Sequence, residues 1–349
     1  MTLRGGLGPR LAVMVIMVSV FAFFWPATPS IAKNAASEPK KALKSSPEKK
    51  VHKKRGAHKT RTAKDGRRSQ SVEAKAVYCV DVKNKKILLA RNADKSMPIA
   101  SLTKLVTAMV ALDRMPLDRK VKVPENISRV PKSVVGLKAG DSVTVGDLLH
   151  GLLIRSGNDC AETLACAYPG GRAAFIKAMN QKVRRMGAKH TVFYTPSGLD
   201  SKVGGTTKDK KSVRVRSNVS TAREMALIAR TAFSNNTIRS ISRKKSHVIA
   251  SNKRKQGYRV STTNKLLRSG LPVVGGKTGY TNLAGHCLAS AFTPAGRVLL
   301  IVVLGSPDQF RDTRLVYRNA LKKAKTYDEG GTRQAKPYVR SPKLAFHHK

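Results

Sequence analysis

Alternating apolar and polar residues predict strands near both ends of the central part of the chain. Two β-rich runs, residues 76–82 and 87–90, are separated by four polar residues, a pattern typical of a hairpin. Near the other end, residues 273–280, 286–292 and 297–304 are apolar runs separated by short turns. Consecutive strands with short connections pair antiparallel, so these three runs are predicted to form a meander.

The segment between these strands has helical periodicity. Apolar residues recur on one helical face at Leu102, Leu105, Val106, Met109 and Val110. Further helices are predicted over residues 147–154, 159–168, 171–186, 220–233 and 311–325. Residues 201–217 form a basic loop that we expect to be mobile. Strands at both ends and helices between them predict an α+β fold, an antiparallel β-sheet flanked by helices with an inserted helical lobe.

Charge divides the chain further. The 349 residues carry a formal net charge of +48, much of it in residues 33–75. That segment has almost no large apolar residues, so it is predicted to be a disordered basic linker. The basic tail over residues 326–349 is also predicted to be disordered. The linker is either a solvated tether alone or a tether that also binds anionic wall polymer or a membrane surface. Nucleic acid is not an expected partner, because no aromatic residues are interleaved to stack on bases.

The first 32 residues have the pattern of a signal peptide. Arg4 and Arg10 precede an apolar run over residues 11–25, and Ser30 and Ala32 supply small residues for cleavage. We therefore expect an exported protein in the periplasm or another extracytoplasmic wall space. An uncleaved segment that holds the protein at the membrane is the alternative.

Cysteine and histidine spacing argues against a metal or cofactor. Free thiols are predicted, mostly buried, at Cys79, Cys160, Cys166 and Cys287. Cys160 and Cys166 would lie about 9 Å apart on a helix, too far for a disulfide. Cys79 and Cys287 can pair only if their strands are neighbours. The histidines outside the tails lack ligand-like spacing, so no metal is expected.

Three short motifs carry the candidate chemistry. The first contains Ser101 and, three residues later on the same helical face, Lys104. A serine hydroxyl needs a nearby base to act as a nucleophile, and a lysine can serve if burial or a neighbouring cation lowers its pKa. Lys277 is a candidate for that cation. Taken alone, the motif is also explained by a serine that caps the helix and a lysine that lies on the surface.

The second motif, Ser156-Gly157-Asn158, interrupts two helical runs, and the third, Lys277-Thr278-Gly279, ends a strand-like run. Ser156 can relay a proton, and Asn158 can position Lys104 and a substrate amide. Lys277 and Thr278 can bind a carboxylate, while Gly279 leaves room for a ligand. Singly, these motifs are also explained by a structural turn and a β-bulge. Their order along the chain favours acyl transfer of the penicillin-sensitive type.

The chain resembles the serine D-alanyl-D-alanine carboxypeptidases, the low-molecular-mass penicillin-binding proteins, over about residues 76–325. Beyond the three motifs, the resemblance rests on residues 91–94, 98–101, 147–153, 193, 198–199, 220–222, 263–267, 280–281 and 284–288. It implies the β-lactamase/penicillin-binding-protein-like transpeptidase fold, with residues 76–325 as the catalytic domain.

The resemblance also implies roles. Ser101 attacks the carbonyl of the penultimate D-Ala, Lys104 is the base, and Ser156 with Asn158 assists proton transfer. The backbone N–H groups of Ser101 and Tyr280 would hold the oxyanion. The terminal carboxylate would be bound by Lys277 and Thr278, with Gly279 keeping the cleft open and Arg311 as the arginine that follows the last strand.

These roles predict a penicillin-binding carboxypeptidase that acts on peptidoglycan pentapeptide without a cofactor and is inhibited by β-lactams. The chain ends before the second domain that many carboxypeptidases carry, and shorter relatives include endopeptidases that cut D-alanyl cross-links. Lesser alternatives are a β-lactamase, for which Glu224 lacks the expected context, and an inactive wall-binding protein. The sequence predicts no oligomeric state.

Overall fold

The computed structural model describes residues 71–131, 133–203 and 214–329. Its strands are β1 Ala76–Asp81, β2 Lys86–Arg91, β3 Met97–Pro98, β4 Lys120–Lys122, β5 Ser142–Thr144, β6 Ser201–Val203, β7 Arg214–Arg216, β8 Val219–Ser220, β9 Ser246–Ile249, β10 Tyr258–Ser261, β11 Val273–Thr281, β12 Gly285–Phe292 and β13 Leu299–Ser306. Its α-helices are α1 Lys104–Arg114, α2 Val145–His150, α3 Asn158–Ala167, α4 Gly171–Arg185, α5 Ala222–Ser234, α6 Asn236–Ser242 and α7 Gln309–Glu329.

A five-stranded antiparallel sheet, ordered β11-β12-β13-β1-β2, forms the centre of the fold. The predicted hairpin, β1 and β2, and the predicted meander, β11 to β13, are both present. They join into one sheet because β1 pairs with β13, with Tyr78 opposite Val302. Cys79 on β1 and Cys287 on β12 are separated by β13, so their strands are not neighbours. All four cysteines are free thiols, as predicted.

Both faces of the sheet are covered. Successive side chains of a strand point to opposite faces. Tyr78 therefore packs in the core shared with α1 and α5, whereas Val77 packs in a second core with Val316 and Tyr317 of α7. The predicted α+β architecture is confirmed, and α1 to α4 form the lobe between β3 and the later strands.

Helix starts follow local capping chemistry. Thr144 accepts a hydrogen bond from the Asp147 amide at the start of α2, and Thr221 does the same for Glu224 at the start of α5. Such caps satisfy amides that have no partner within the helix. The helix predicted over residues 220–233 therefore begins at Ala222, with Thr221 as its cap.

The structure differs from the predicted boundaries in three places. Ala74 is buried, and the Glu73 amide donates to Asp312, so residues 71–75 pack on the domain rather than belonging to a disordered linker. At the other end, α7 runs to Glu329, past residue 325. Strands β6 and β7 pair within the expected loop 201–217. The predicted signal peptide, residues 33–70 of the predicted linker and residues 330–349 of the predicted tail lie outside the described residues.

Candidate active site

Ser101 lies in a 3₁₀ turn, Ala100–Thr103, that leads directly into α1. Lys104 is the first residue of that helix, and its side chain is completely buried. Its Nζ donates to Ser101 Oγ, Asn158 Oδ1 and the Ser197 carbonyl, each at 2.7 Å. The hydroxyl and the amine predicted to react therefore lie in direct contact.

These three contacts suit an amine that can lose a proton. Asn158 Oδ1 and the Ser197 carbonyl only accept hydrogen bonds, so they engage the two N–H groups that a neutral amine retains. Ser101 can instead turn its O–H toward the lone pair of Nζ. Burial lowers the pKa of Lys104 to about 7. Near neutral pH, Lys104 is thus poised between proton donor and base.

The second wall of the site is an unusual helix break. A π-helical segment, Gly151–Arg155, continues α2 and ends at Ser156, which adopts a left-handed backbone with φ 65°. Such segments are frequent at functional sites. Asn158 then begins α3, and the Asp159 carboxylate accepts from three consecutive amides, those of residues 135–137. The break aims Ser156 and Asn158 at the cleft while Asp159 holds the adjoining loop.

Strand β11 forms the third wall. Lys277 is 1% exposed, and its Nζ donates to Ser156 Oγ at 2.8 Å and to the Thr278 carbonyl at 2.7 Å. Burial lowers the pKa of Lys277 well below its ordinary value, and repulsion from Lys104 adds to the effect. The Thr278 hydroxyl contacts that of Thr263 at 2.6 Å. Lys277 thus connects the strand to the second motif through Ser156.

Gly279 permits β11 to approach the nucleophile. A Cβ at this position would lie 3.0 Å from the Ser101 amide nitrogen and 3.1 Å from the Ile99 carbonyl oxygen. A side chain at this position would require the strand or the 3₁₀ turn to shift by a few tenths of an ångström. The next residue, Tyr280, is 55% exposed and lines the cleft. The close approach brings the backbone around Tyr280 near the Ser101 amide, the pair expected to hold an oxyanion.

The cleft itself has a volume of about 520 Å³. The structure brings together at this cleft Ser101, Lys104, Ser156, Asn158, Lys277, Thr278, Gly279 and Tyr280. It does not bring Arg311 there: Arg311 pairs with Glu73 at 2.7 Å and with Asp312 at 3.7 Å. The first turn of α7 directs Arg311 to the segment preceding β1, and Gln309 lines the cleft instead. The prediction for Arg311 is therefore not supported.

Sequence reasoning missed three contributors. Ser197 supplies its backbone carbonyl to Lys104, Thr263 bonds Thr278, and Ser133 lines the cleft while its carbonyl accepts from the Asn158 amide. A backbone acceptor leaves no side-chain signature. The only available signal for Ser197 was its position before Gly198, whose positive φ of 85° and tight contact with Ala100 require glycine.

The Peptidase S11 model, described as D-alanyl-D-alanine carboxypeptidase, matches residues 59–308. The chain belongs to this family. It is therefore a serine peptidase, and the family resemblance inferred from the motifs is confirmed.

Relatives of this S11 peptidase have two kinds of name. A D-alanyl-D-alanine endopeptidase of Escherichia coli (strain K12) is 35% identical over 237 residues, which cover 64% of this chain and 69% of that protein. A D-alanyl-D-alanine carboxypeptidase of Mycobacterium tuberculosis is 34% identical over 224 residues, covering 64% and 72%. Both bond specificities thus occur at similar identity.

Solved structures agree on the fold. A D-alanyl-D-alanine carboxypeptidase from Mycobacterium tuberculosis matches with a TM-score of 0.64 and 30% identity over 72% of this chain and 92% of that one. A mutant of the Streptomyces K15 DD-transpeptidase matches with a TM-score of 0.64 and 29% identity over 72% and 99%. The fold is that of the penicillin-binding DD-peptidases. Among the residues that the structure describes, no helix has the length and apolar character needed to cross a membrane.

Proposed function

We propose that this S11 peptidase cleaves the D-alanyl-D-alanine bond of peptidoglycan stem peptides through an acyl-enzyme on Ser101. The observation that carries the proposal is the 2.7 Å contact between Lys104 Nζ and Ser101 Oγ inside a cleft, with the pKa of Lys104 at about 7. A nucleophile needs a base within hydrogen-bond reach and near its working pH, and Lys104 meets both requirements.

The reaction proceeds in two steps. Neutral Lys104 takes the Ser101 proton as Oγ bonds to the carbonyl carbon of the penultimate D-Ala. The amides of Ser101 and Tyr280 stabilise the oxyanion. The C–N bond then breaks, and the leaving amine receives the proton from Lys104 through Ser156. Water attacks the resulting ester with Lys104 again as base, which releases the shortened peptide and restores Ser101.

Strand β11 orients the substrate. Lys277 and Thr278 bind the terminal carboxylate, which is the group that distinguishes a chain end. An arriving carboxylate favours the protonated form of Lys277, opposing the lowering of its pKa by burial. β-Lactams carry a carboxylate beside a strained acyl group, so they acylate Ser101 and inhibit the enzyme.

Carboxypeptidase activity on pentapeptides is the principal proposal, and cleavage of D-alanyl cross-links is the second. Relatives named endopeptidases, from Escherichia coli and Pseudomonas aeruginosa, favour the second activity.

The enzyme acts outside the cytoplasmic membrane, where peptidoglycan lies, and the basic residues before the domain draw it to anionic wall or membrane surfaces.

Defined muropeptides test both activities. The purified enzyme is incubated with monomeric pentapeptide and with cross-linked dimers, and the products are weighed by mass spectrometry. Loss of one alanine from monomers supports the carboxypeptidase, whereas conversion of dimers to monomers supports the endopeptidase. Fluorescent penicillin should label Ser101 covalently. Absence of both peptide products and of labelling would refute the proposed function.

A further inference from the structure

A second cluster of reactive side chains lies outside the cleft. Asp147 and His150 are three residues apart on α2 and share a helical face, and His247 comes from β9. One potential ligand atom from each lies within 4.8 Å of the other two. The two imidazole rings stack with centroids 3.7 Å apart. The spacing of the histidines along the sequence did not predict this arrangement, because β9 follows α2 by nearly a hundred residues.

The tautomer of His150 is set by its neighbours. Its Nδ1 lies 2.8 Å from the Gly146 carbonyl, which can only accept, so Nδ1 carries the proton. Nε2 is left with its lone pair, and Lys244 Nζ donates to it at 2.9 Å. A backbone carbonyl on one ring nitrogen and a cation on the other is the arrangement found for metal-binding histidines.

Asp147 connects helix α2 to His247 and to the end of β9. Its Oδ1 accepts from His247 Nε2 at 2.8 Å, and its Oδ2 accepts from the Ala250 amide at 3.3 Å. All three side chains are partly buried, so their positions are constrained while ions retain access. Ligand atoms around a tetrahedral zinc ion lie about 3.4 Å apart, a spacing that small side-chain rotations reach here.

We propose that Asp147, His150 and His247 bind a divalent first-row transition-metal ion of the zinc type, in competition with the Lys244 ammonium group. Two imidazoles and one carboxylate favour such ions over magnesium or calcium, which prefer all-oxygen ligands. On binding, the metal takes the Nε2 lone pair of His247, whose ring proton moves to Nδ1 by exchange with solvent, so the imidazole stays neutral. Lys244 is exposed and swings away with its own proton.

The bound ion would connect two walls of the cleft. Helix α2 continues through the π-helical segment to Ser156, whereas β9 pairs with β10, which leads to Thr263 and so to Thr278. The Thr263 amide already donates to the Ile154 carbonyl. The metal would thus fasten the base of the helix to the hairpin that supports the carboxylate-binding strand.

Calorimetric titration of the full chain with zinc chloride tests the proposal. We expect one saturable site with micromolar affinity, weakened at least about tenfold by His150→Ala or His247→Ala. Lys244→Met removes the competing ammonium but no ligand, so it should bind zinc more tightly. His190→Ala is the matched control, because His190 pairs with the Glu224 carboxylate without a second histidine. Magnesium chloride should show no site.

Several results would overturn the proposal. One is zinc binding that survives unchanged in His150→Ala and His247→Ala, which would assign the ion to the histidines near the chain ends. Another is weaker binding in Lys244→Met, and a third is no saturable site below about 1 mM zinc. Thermal melts guard against unfolded variants, since zinc should raise the unfolding midpoint of the wild type and of Lys244→Met but not of the two histidine variants.

Discussion

Two buried lysines face each other across the cleft, and their surroundings differ in a way that separates their roles. Lys104 on α1 has three hydrogen-bond partners, among them the hydroxyl of Ser101. Within the described residues, Lys277 on β11 donates to Ser156 Oγ and to the carbonyl of the next residue, Thr278. Burial lowers both pKa values, to about 7 for Lys104.

The difference shows how a single residue type serves two chemical tasks. Lys104 is held by two groups that only accept and by one that can donate, so it can give up a proton without losing a partner. The hydroxyl beside Lys277 is that of Ser156, which relays a proton in the proposed reaction rather than attacking the substrate, and a carboxylate ligand would restore the charge of Lys277. One lysine is thus arranged to lose a proton during reaction, and the other to hold one when substrate binds.

The largest effect is expected from Ser101→Ala, which removes the one partner of Lys104 that can react. Covalent labelling by fluorescent penicillin should disappear, because no oxygen remains to form the ester. Thermal melts should show a folded protein, since Lys104 keeps two acceptors. Normal labelling of a folded Ser101→Ala protein would place the nucleophile elsewhere.

Lys104→Arg should reduce acylation by about 10²–10⁴-fold, the usual contribution of a general base. A guanidinium group keeps the positive charge but does not deprotonate in proteins. Stopped-flow acylation by a chromogenic β-lactam measures the loss. Lys277→Arg is the matched control: it retains a cation for the carboxylate and should lose less. Equal losses in both variants would erase the distinction between the two lysines.

Lys277→Ala should weaken acylation by about 2–4 kcal/mol, roughly 30- to 1,000-fold, because a buried charge contact to the substrate carboxylate is lost. Turnover of a peptide and of its C-terminally amidated analogue measures the specificity. The wild type should prefer the free carboxylate, and the variant should lose that preference. An unchanged preference in Lys277→Ala would contradict the carboxylate role.

The pH dependence offers a smaller but more direct comparison. Lys104 acts when neutral, so acylation should rise as pH increases through about 7 and then level off. Burial is the main cause of the lowered pKa of Lys104, whereas repulsion between the two lysines lowers the pKa of Lys277. The acylation profile of Lys277→Ala should therefore stay at the same pH. A profile that moves to higher pH in Lys277→Ala would show that a charged Lys277 lowers the pKa of Lys104 in the free enzyme.

The smallest effect is expected from deleting residues 33–70, which precede both lysine-bearing walls. Turnover of a short soluble peptide should be unchanged, while salt-sensitive retention on isolated sacculi or anionic vesicles should fall because exposed charges are lost. Extending the deletion to residue 75 removes buried Ala74 and should lower the unfolding temperature. Lost turnover in the shorter deletion would place part of that segment in the catalytic domain.

The sequence by itself determined the parts of the molecule that depend on nearby residues. Ser101 and Lys104 meet because residues three apart share a helical face, and the meander is readable because each strand alternates and each turn is short. Motif order then indicated the enzyme family, which the comparisons confirmed.

Contacts between distant segments were decided only by tertiary structure. The Ser197 carbonyl on Lys104, the pairing of Arg311 with Glu73, and the meeting of His150 with His247 join residues dozens to hundreds of positions apart. Backbone acceptors have no side-chain pattern, and helix α7 sets the direction of Arg311 only once it packs on the sheet. Local periodicity specifies elements, whereas the packing of those elements specifies which of their side chains share a site.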